Sequence, residues 1–339
     1  MSRLVFVTQA ADPSDPVLGA TVAKIRALAA RVDELVVLAG RIAPAALPEN
    51  CVAHSFAAPT QALRGARYAT ALTPELLRRP LAVVVHMSPI YVLLAAPLAR
   101  PLRVPLLLWF TQQAGGERLG RAVPAVDAIL TVDERSVPIR SPKVVPIGHG
   151  IDVAAFPCLG EVRPPLRRLL GLGRYAPVKG WDTALRALVE LPEASLAIHG
   201  PMLTERDRAH RPELEALAAE LGVRDRVTFA DAVPYRDLPA VLGEADALVN
   251  TTLGNAADKV VYEAAASCLP VFAASPVFDT LLPEQLCFEA GDPHSLASRI
   301  RDYDAGAGEA LRARVEAAHS VEGWAGRVLD AVNAAASRG

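Results

Sequence analysis

The sequence predicts a two-domain α/β protein in which each domain is a doubly wound parallel sheet. Three observations point there. Short β-branched apolar runs alternate with Ala-, Leu- and Arg-rich helical segments along the whole chain. That series restarts near residue 150. A chain of 339 residues, 52% apolar and 21% charged, is long enough for two cores of ordinary size. The mean hydropathy of +0.26 comes from alanine and leucine, since aromatic residues make up only 5%. Such a composition excludes disorder.

The chain opens with a βαβ unit, with strands at Arg3–Thr8 and Glu34–Leu38 around a helix over Thr21–Ala30. Apolar runs at Leu81–Val85, Val104–Trp109, Ala128–Val132 and Val144–Ile147 complete a first domain, residues 1–150. Pro80 to Ala99 holds no charge for 20 residues, the length of a membrane-spanning helix. Pro80, Pro89 and Pro97, with His86 and Ser88, divide it into a strand followed by a helix. A second domain, residues 151–320, is read from strands at Leu169–Leu172, Ser195–His199, Arg226–Phe229, Ala247–Asn250, Pro270–Ala273 and Cys287–Glu289. The last segment, 321–339, is a helix expected to pack back on the first domain.

The formal net charge is −2, so no chain-wide positive field exists to hold nucleic acid. Residues 1–150 carry 16 basic and 10 acidic side chains, and residues 151–339 carry 19 and 27. Mutual attraction of the two domains across a cleft is the favoured reading. The sharper one is a weak peripheral contact of the first domain with an anionic acceptor or membrane surface, through Arg64, Arg67, Arg78 and Arg79. Cys51, Cys158, Cys268 and Cys287 form no CxxC pair and read as buried free thiols of a reducing compartment. The apolar run at the start is too short for a signal-peptide core. A cytoplasmic protein, peripheral at most to the inner face of the membrane, is the expectation.

Ligands of open α/β sheets bind at the carboxyl ends of the strands. After the strand at Leu169–Leu172 comes Gly173-Arg174-Tyr175-Ala176-Pro177-Val178-Lys179-Gly180, leading into a helix at Trp181. Arg174 can grip phosphate oxygens through its planar fork, and Lys179 can supply a compact charge to a diphosphate. Lysine is rare here: only Lys24, Lys143, Lys179 and Lys259 are lysines among 35 basic residues. A lysine kept against that bias suggests a need for lysine itself. After the strand at Ala247–Asn250, a loop runs to Asp258, read as the N-cap of a helix. The amides of Lys259 and Val260 then make an anion site, strengthened by the Lys259 side chain. Glu263, one turn further, sits among Val260, Val261, Ala264 and Ala265, where an unpaired carboxylate is costly. It is read as a partner of ribose hydroxyls.

These residues resemble the retaining glycosyltransferase family 4, with the GT-B fold of two Rossmann-like domains facing across a cleft. Val145-Pro146-Ile147-Gly148-His149-Gly150-Ile151-Asp152 is similar to the segment that crosses between the domains. Gly173-Arg174 with Lys179-Gly180 resembles the family's diphosphate-binding pair, and Ala197-Ile198-His199-Gly200-Pro201 its next strand and turn. The resemblance implies a metal-independent enzyme without a cofactor that moves a sugar from a nucleoside-diphosphate sugar, UDP foremost, to a glycan, lipid or small-molecule acceptor. It implies that Arg174 and Lys179 neutralise the leaving diphosphate. Gly148, Gly173, Gly200, Asn255, Ala256, Asp258, Lys259, Val260 and Glu263 then surround the donor. His86 is the implied first-domain group near the reacting sugar, with Gly19, Ser88 and Gln112 on the acceptor side. Departures stand out: Asn255 replaces the first of two glutamates eight positions apart, and Asp258-Lys259 replaces a Gly-aromatic-Gly turn.

Other readings fit less well. Gly171-Leu172-Gly173-Arg174-Tyr175-Ala176 matches G-x-G-x-x-A, but the helix begins too late for a dinucleotide site. Asp302-Tyr303-Asp304 mimics a metal-binding DxD but follows a helix. A nucleotide-sugar epimerase, a non-glycosidic coupling enzyme or a non-catalytic nucleotide-sugar binder would share the same donor half.

Overall fold

The computed structural model describes residues 2–337. The chain divides into two compact units, one formed by the chain up to Asp152 with the segment from Ala318 onward, the other by Val153–Ala317.

The first unit contains β1 (Arg3–Ala11), α1 (Thr21–Ala29), β2 (Glu34–Ile42), β3 (Cys51–Ser55), α2 (Gln61–Leu77), β4 (Val83–His86), α3 (Pro89–Ala99), β5 (Leu106–Trp109), α4 (Gly116–Ala122), β6 (Ala128–Thr131) and β7 (Val144–Pro146). Its seven strands are parallel in the order β3-β2-β1-β4-β5-β6-β7. Strands β4, β5 and β6 are buried at every position, as their uninterrupted apolar runs require when helices cover both faces. Strand β3 escapes sequence reading because it is an edge strand, mostly exposed, with the polar residues His54 and Ser55 in a run of five. Pro80 to Ala99 is a strand and a helix, α3 starting at Pro89 where a missing N–H does no harm. No helix among the described residues is long and apolar enough to cross a membrane.

The second unit contains β8 (Arg168–Leu172), α5 (Trp181–Val189), β9 (Ser195–His199), α6 (Glu205–Glu220), β10 (Val227–Ala230), α7 (Leu238–Gly243), β11 (Ala247–Asn250), α8 (Lys259–Ala266), β12 (Val271–Ala273) and α9 (Pro293–Arg301). Its five parallel strands run β10-β9-β8-β11-β12. The strand expected at Cys287–Glu289 does not form. Cys287 makes one isolated bridge to Ala273, and a turn of 3-10 helix at Glu284–Leu286 uses up the residues that would have extended it. Helix α10 (Gly308–His319) leads back to the first unit, and α11 (Val321–Ala336) packs there against α1 and β6.

The two segments that join the units are hydrogen-bonded to each other. Gly150 and Ile151 N–H donate to the His319 carbonyl at 3.0 and 2.7 Å, and Val321 N–H donates to the Ile151 carbonyl at 2.8 Å. His149 N–H donates to His319 Nδ1 at 3.2 Å. Trp324 of α11 stacks edge-on against Trp109 with ring centroids 5.6 Å apart. Burial, with the nearby Arg327 charge, lowers the His319 pKa to about 4 against a weaker opposing pull from Asp133.

Cys158 and Cys268, expected as free thiols, are joined in a disulfide with Cα atoms 5.0 Å apart. Their separation of 110 residues hides a proximity that only folding creates. Cys51 and Cys287 are half-buried free cysteines, and burial pushes the Cys51 thiol up to about 11.

Two outcomes are expected from this packing. Alkylation under denaturing, non-reducing conditions modifies Cys51 and Cys287 and spares Cys158 and Cys268, and Cys158→Ser lowers stability by about 2–4 kcal/mol. Labelling of all four thiols refutes the bridge. His319, neutral in the folded chain, has a pKa depressed from 6.5. Its contribution is therefore complete above pH 6.5 and declines as pH falls toward about 4, because only the unfolded chain takes up the proton in that window. The unfolding midpoint measured across this range falls less steeply in His319→Gln than in the parent. An equal slope in both chains rejects the assignment.

Candidate functional site

Sheet order reverses once in each unit, between β1 and β4 in the first and between β8 and β11 in the second. Loops leaving two adjacent strands in opposite directions open a crevice at their carboxyl ends, where α/β proteins bind ligands. His86 and Ser88 lie at the first of these places and Gly173, Arg174, Lys179, Asp258, Lys259 and Glu263 at the second, whereas Gln112 and Gly148 follow β5 and β7.

In the second unit, three loops meet at the switch point. The Trp181 ring packs against Gly171, where a Cβ would lie 2.7 Å from it, and Trp181 Nε1 in turn donates to the Arg174 carbonyl at 3.0 Å. The indole thus fixes the backbone that carries Arg174. A Cβ on Gly200 would lie 1.7 Å from the Gly173 carbonyl oxygen, so only glycine lets the β9 turn approach the β8 turn this closely. Gly180, with φ of 62°, presses on the Thr251 carbonyl in the same way. Thr251 Oγ1 donates to the Lys179 carbonyl at 2.7 Å and Leu253 N–H to the Val178 carbonyl at 2.9 Å. The Lys179 turn is thereby tied to the loop after β11.

Lys179 points at Asp258. Its Nζ lies 2.6 and 2.7 Å from the two carboxylate oxygens. Asn250 Nδ2 and Thr252 Oγ1 donate to Asp258 Oδ2 at 2.9 and 2.5 Å. Burial alone would raise the Asp258 pKa, but the Lys179 charge and the hydrogen bonds from Asn250, Lys179 and Thr252 outweigh it and lower the pKa. This corrects the expected capping role. Asp258 occupies the N-cap position of α8 by backbone, yet its side chain makes no capping hydrogen bond because Lys179, Asn250 and Thr252 hold it. The first turn of α8 is left without a side-chain cap.

Lys259 and Glu263 face each other one turn apart on α8, with Nζ 2.9 Å from Oε1. The contact is ionic in distance but lacks hydrogen-bond geometry, and neither Glu263 oxygen accepts a hydrogen bond. Glu263 has 0% side-chain exposure. The Lys259 ammonium also lies 4.1 Å from the centroid of the Tyr235 ring. Arg174 is the most open of the three cations, 40% exposed, with Nη1 3.5 Å from Asp207 Oδ2. Asp207 is buried and forms the capping box of α6 with Thr204. Arg174, Thr204, Arg206 and Asp207 line an open depression of about 300 Å³ that Lys179, Asp258 and Glu263 do not line. Asn255, Ala256 and Val260 are half-buried around the start of α8.

In the first unit, His86 ends β4 beside β1. It is buried, with Nδ1 3.2 Å from Thr8 Oγ1 and its ring 5.8 Å from Phe6. Burial, then the charge of Lys24, drives its pKa well below the usual value, so His86 is a neutral imidazole. Ser88 is buried and accepts from Gln9 Nε2 at 2.7 Å. Lys24 lies 4.8 and 5.2 Å from the ring centroids of Trp109 and Trp324. Gly19 is buried at the start of α1, Gln112 is exposed in the loop after β5, and Gly148 is buried after β7 with φ of 73°. A Cβ on Gly148 would lie 2.1 Å from the Ala318 carbonyl oxygen, so Gly148 belongs to the paired connecting segments. Sequence reasoning missed Asp207, Asn250, Thr251 and Thr252. The polar run Asn250-Thr251-Thr252 at the end of an apolar strand was the signal available for three of them. Among the described residues, no group of three or more His, Cys, Asp or Glu side chains is placed to hold a metal ion.

Residues 167–303 match the family model of the group 1 glycosyl transferases. The chain is 28% identical over 192 residues to a 2-deoxystreptamine glucosyltransferase of Streptomyces kanamyceticus, covering 50% of this chain and 46% of that one. It is 34% identical over 146 residues to a GDP-mannose-dependent alpha-(1-6)-phosphatidylinositol monomannoside mannosyltransferase of Mycolicibacterium smegmatis, covering 37% and 36%. The matches thus span less than half the length of these curated relatives. The sucrose-phosphate synthase structure from Thermosynechococcus elongatus superposes over 100% of both chains with a TM-score of 0.76 at 16% identity, a likeness of fold. Residues 167–303 of this chain are a domain of the group 1 glycosyl transferases, and its two parallel sheets of seven and five strands have the GT-B fold.

Proposed function

We propose that the chain is a retaining glycosyltransferase whose second unit binds a nucleoside-diphosphate sugar and whose first unit binds the acceptor. The observation that carries this reading is the switch point of the second sheet. Lys179 meets the start of α8 there through Asp258, Lys259 faces Glu263 on the same helix, a buried carboxylate whose oxygens accept no hydrogen bond, and Arg174 stands on the turn after β8 beside Asp207. A diphosphate matches the cations and the helix amides, and ribose hydroxyls match the carboxylate.

In this mechanism the departing phosphate oxygen is the base. As the bond from the anomeric carbon to the diphosphate breaks, charge builds on that oxygen, and Arg174 and Lys179 stabilise it. The acceptor hydroxyl attacks from the same face and gives its proton to that oxygen. No protein nucleophile is needed, which fits neutral His86 as a hydrogen-bonding group near the reacting sugar. Ser88, Gln112 and Gly19 stand on the acceptor side, and a sugar, lipid or small-molecule acceptor is in keeping with the range of the relatives. UDP is the foremost donor nucleotide, and GDP its main rival because the mycobacterial relative is GDP-mannose-dependent. Arg64, Arg67, Arg78 and Arg79 are exposed on and after α2, where a weak contact with an anionic membrane surface would form.

Thermal unfolding against UDP, GDP, ADP, dTDP and NAD identifies the donor base. The correct diphosphate stabilises the chain by about 2.7 kcal/mol at a hundred times its dissociation constant. Arg174→Ala and Lys179→Ala lower transfer by roughly 100-fold or more. Stabilisation by NAD alone, or full transfer in either folded variant, overturns the reading. Binding of a nucleotide sugar without single-turnover loss of donor selects the non-catalytic binder instead.

A further inference from the structure

Each of the three cations at the second switch point faces a carboxylate: Arg174 with Asp207, Lys179 with Asp258, and Lys259 with Glu263. The pairs differ in how firmly they are built. Arg174 and Asp207 are 3.5 Å apart, and Lys259 meets Glu263 without hydrogen-bond geometry. Lys179 gives two short hydrogen bonds to Asp258, whose carboxylate is also held by Asn250 and Thr252. An ammonium has three N–H donors, so this pairing leaves Lys179 one. The turn that carries Lys179 is fixed by the Gly180 contact and the Thr251 hydrogen bond, so the lysine backbone is not free to shift away from Asp258.

We propose that Asp258 is a built-in competitor for Lys179, a carboxylate that a diphosphate must displace on binding and that recaptures the lysine as the nucleoside diphosphate leaves. The proposal rests on the reading that the donor's diphosphate lies at Lys179. A monoanion offers Lys179 no more than the carboxylate already does, whereas a diphosphate brings several charged oxygens that can engage Lys179 and the neighbouring α8 amides at once. Asp258 therefore selects for diphosphates at the expense of affinity and speeds product release. The hydrogen bonds from Asn250 and Thr252 set the strength of the competition by fixing the carboxylate toward the lysine.

The test uses inorganic diphosphate, titrated calorimetrically at fixed ionic strength into the parent chain, Asp258→Asn, Thr252→Val, Asp258→Asn with Lys179→Ala, and Asp225→Asn. Asp225 is exposed in the turn before β10 and controls for the change in net charge. Asp258→Asn is expected to bind diphosphate at least about tenfold more tightly, roughly the effect of freeing one charged hydrogen-bonding group. Thr252→Val, which loosens the carboxylate without changing charge, shifts affinity in the same direction by less. The double variant and Asp225→Asn show no gain. With a turned-over donor, Asp258→Asn lowers KM and kcat together, because release of the nucleoside diphosphate becomes slow. Unchanged or weaker diphosphate binding in Asp258→Asn, or an equal gain in Asp225→Asn, overturns the proposal. If Thr252→Val and Asp258→Asn both tighten diphosphate but no nucleotide sugar is turned over, Asp258 is a competitor at an anion site and the glycosyltransferase reading falls alone.

Discussion

The ion pair between Lys179 and Asp258 organises the second unit around its switch point. It joins the turn after β8 to the start of α8 across the β11 loop, the three segments through which the sheet can meet a ligand. Removing two charges from water is expensive, and their attraction compensates only when geometry is good and the remaining lone pairs are satisfied. Here Asn250 and Thr252 complete the carboxylate's shell, and the Gly180 and Thr251 contacts hold the lysine where the carboxylate can reach it. Loss of Lys179 would leave the Asp258 carboxylate with the Asn250 and Thr252 hydrogen bonds but no opposite charge. The pair is thus both a structural clamp on three loops and the reason their cation is presented in a fixed place.

The first unit solves a related problem with aromatic rings. Lys24 extends between Trp109 and Trp324, and Trp324 arrives on α11 from the far end of the sequence. Indole faces attract an ammonium that is largely removed from water. The Lys24 charge in turn helps keep His86 neutral at the end of β4, so the imidazole can exchange a hydrogen bond with Thr8 without carrying charge into the core. The C-terminal helix is therefore part of the environment of a candidate site residue more than two hundred positions away in sequence.

Much of the fold was legible because buried parallel strands write their burial directly as apolar runs, as at Val83–His86 and Leu106–Trp109. The exceptions are physical as well. Strand β3 lies at an edge and pairs on one side only, so its sequence has no need to be apolar at every position. Cys287–Glu289 is apolar enough for a strand, but a preceding 3-10 turn and a single bridge deny it a ladder. At the site, Arg174, Lys179 and Lys259 were visible because cations at strand ends are rare and lysine is rarer still in this chain. The pairing of Lys179 with Asp258 was not. Asp258 has the position and side chain of an ordinary helix cap, and only the three-dimensional closeness of Lys179, Asn250 and Thr252 takes its carboxylate elsewhere. The disulfide was hidden for the same reason, since spacing along the chain carries no record of which distant thiols folding brings together.

Three paired cations at one strand edge also bear on how an anion site can exist in a stable fold. Unpaired like charges gathered at a single sheet end repel one another and weaken the compact state. Carboxylates supplied by neighbouring elements remove that repulsion, but each then competes with any anionic ligand. The graded geometry of the three pairs reconciles these demands. Arg174, exposed and loosely paired, can meet a phosphate first at little cost, because its contact with Asp207 is long and solvent-screened. Lys259 is oriented by Glu263 and the Tyr235 ring beside helix amides that no side chain caps. Lys179 is the most tightly held, and under the proposed competition a ligand must replace two hydrogen bonds at once to engage it. For the proposed diphosphate ligand this grading sets an order of engagement, in which the outer arginine meets the anion first and the inner lysine discriminates among what has been met.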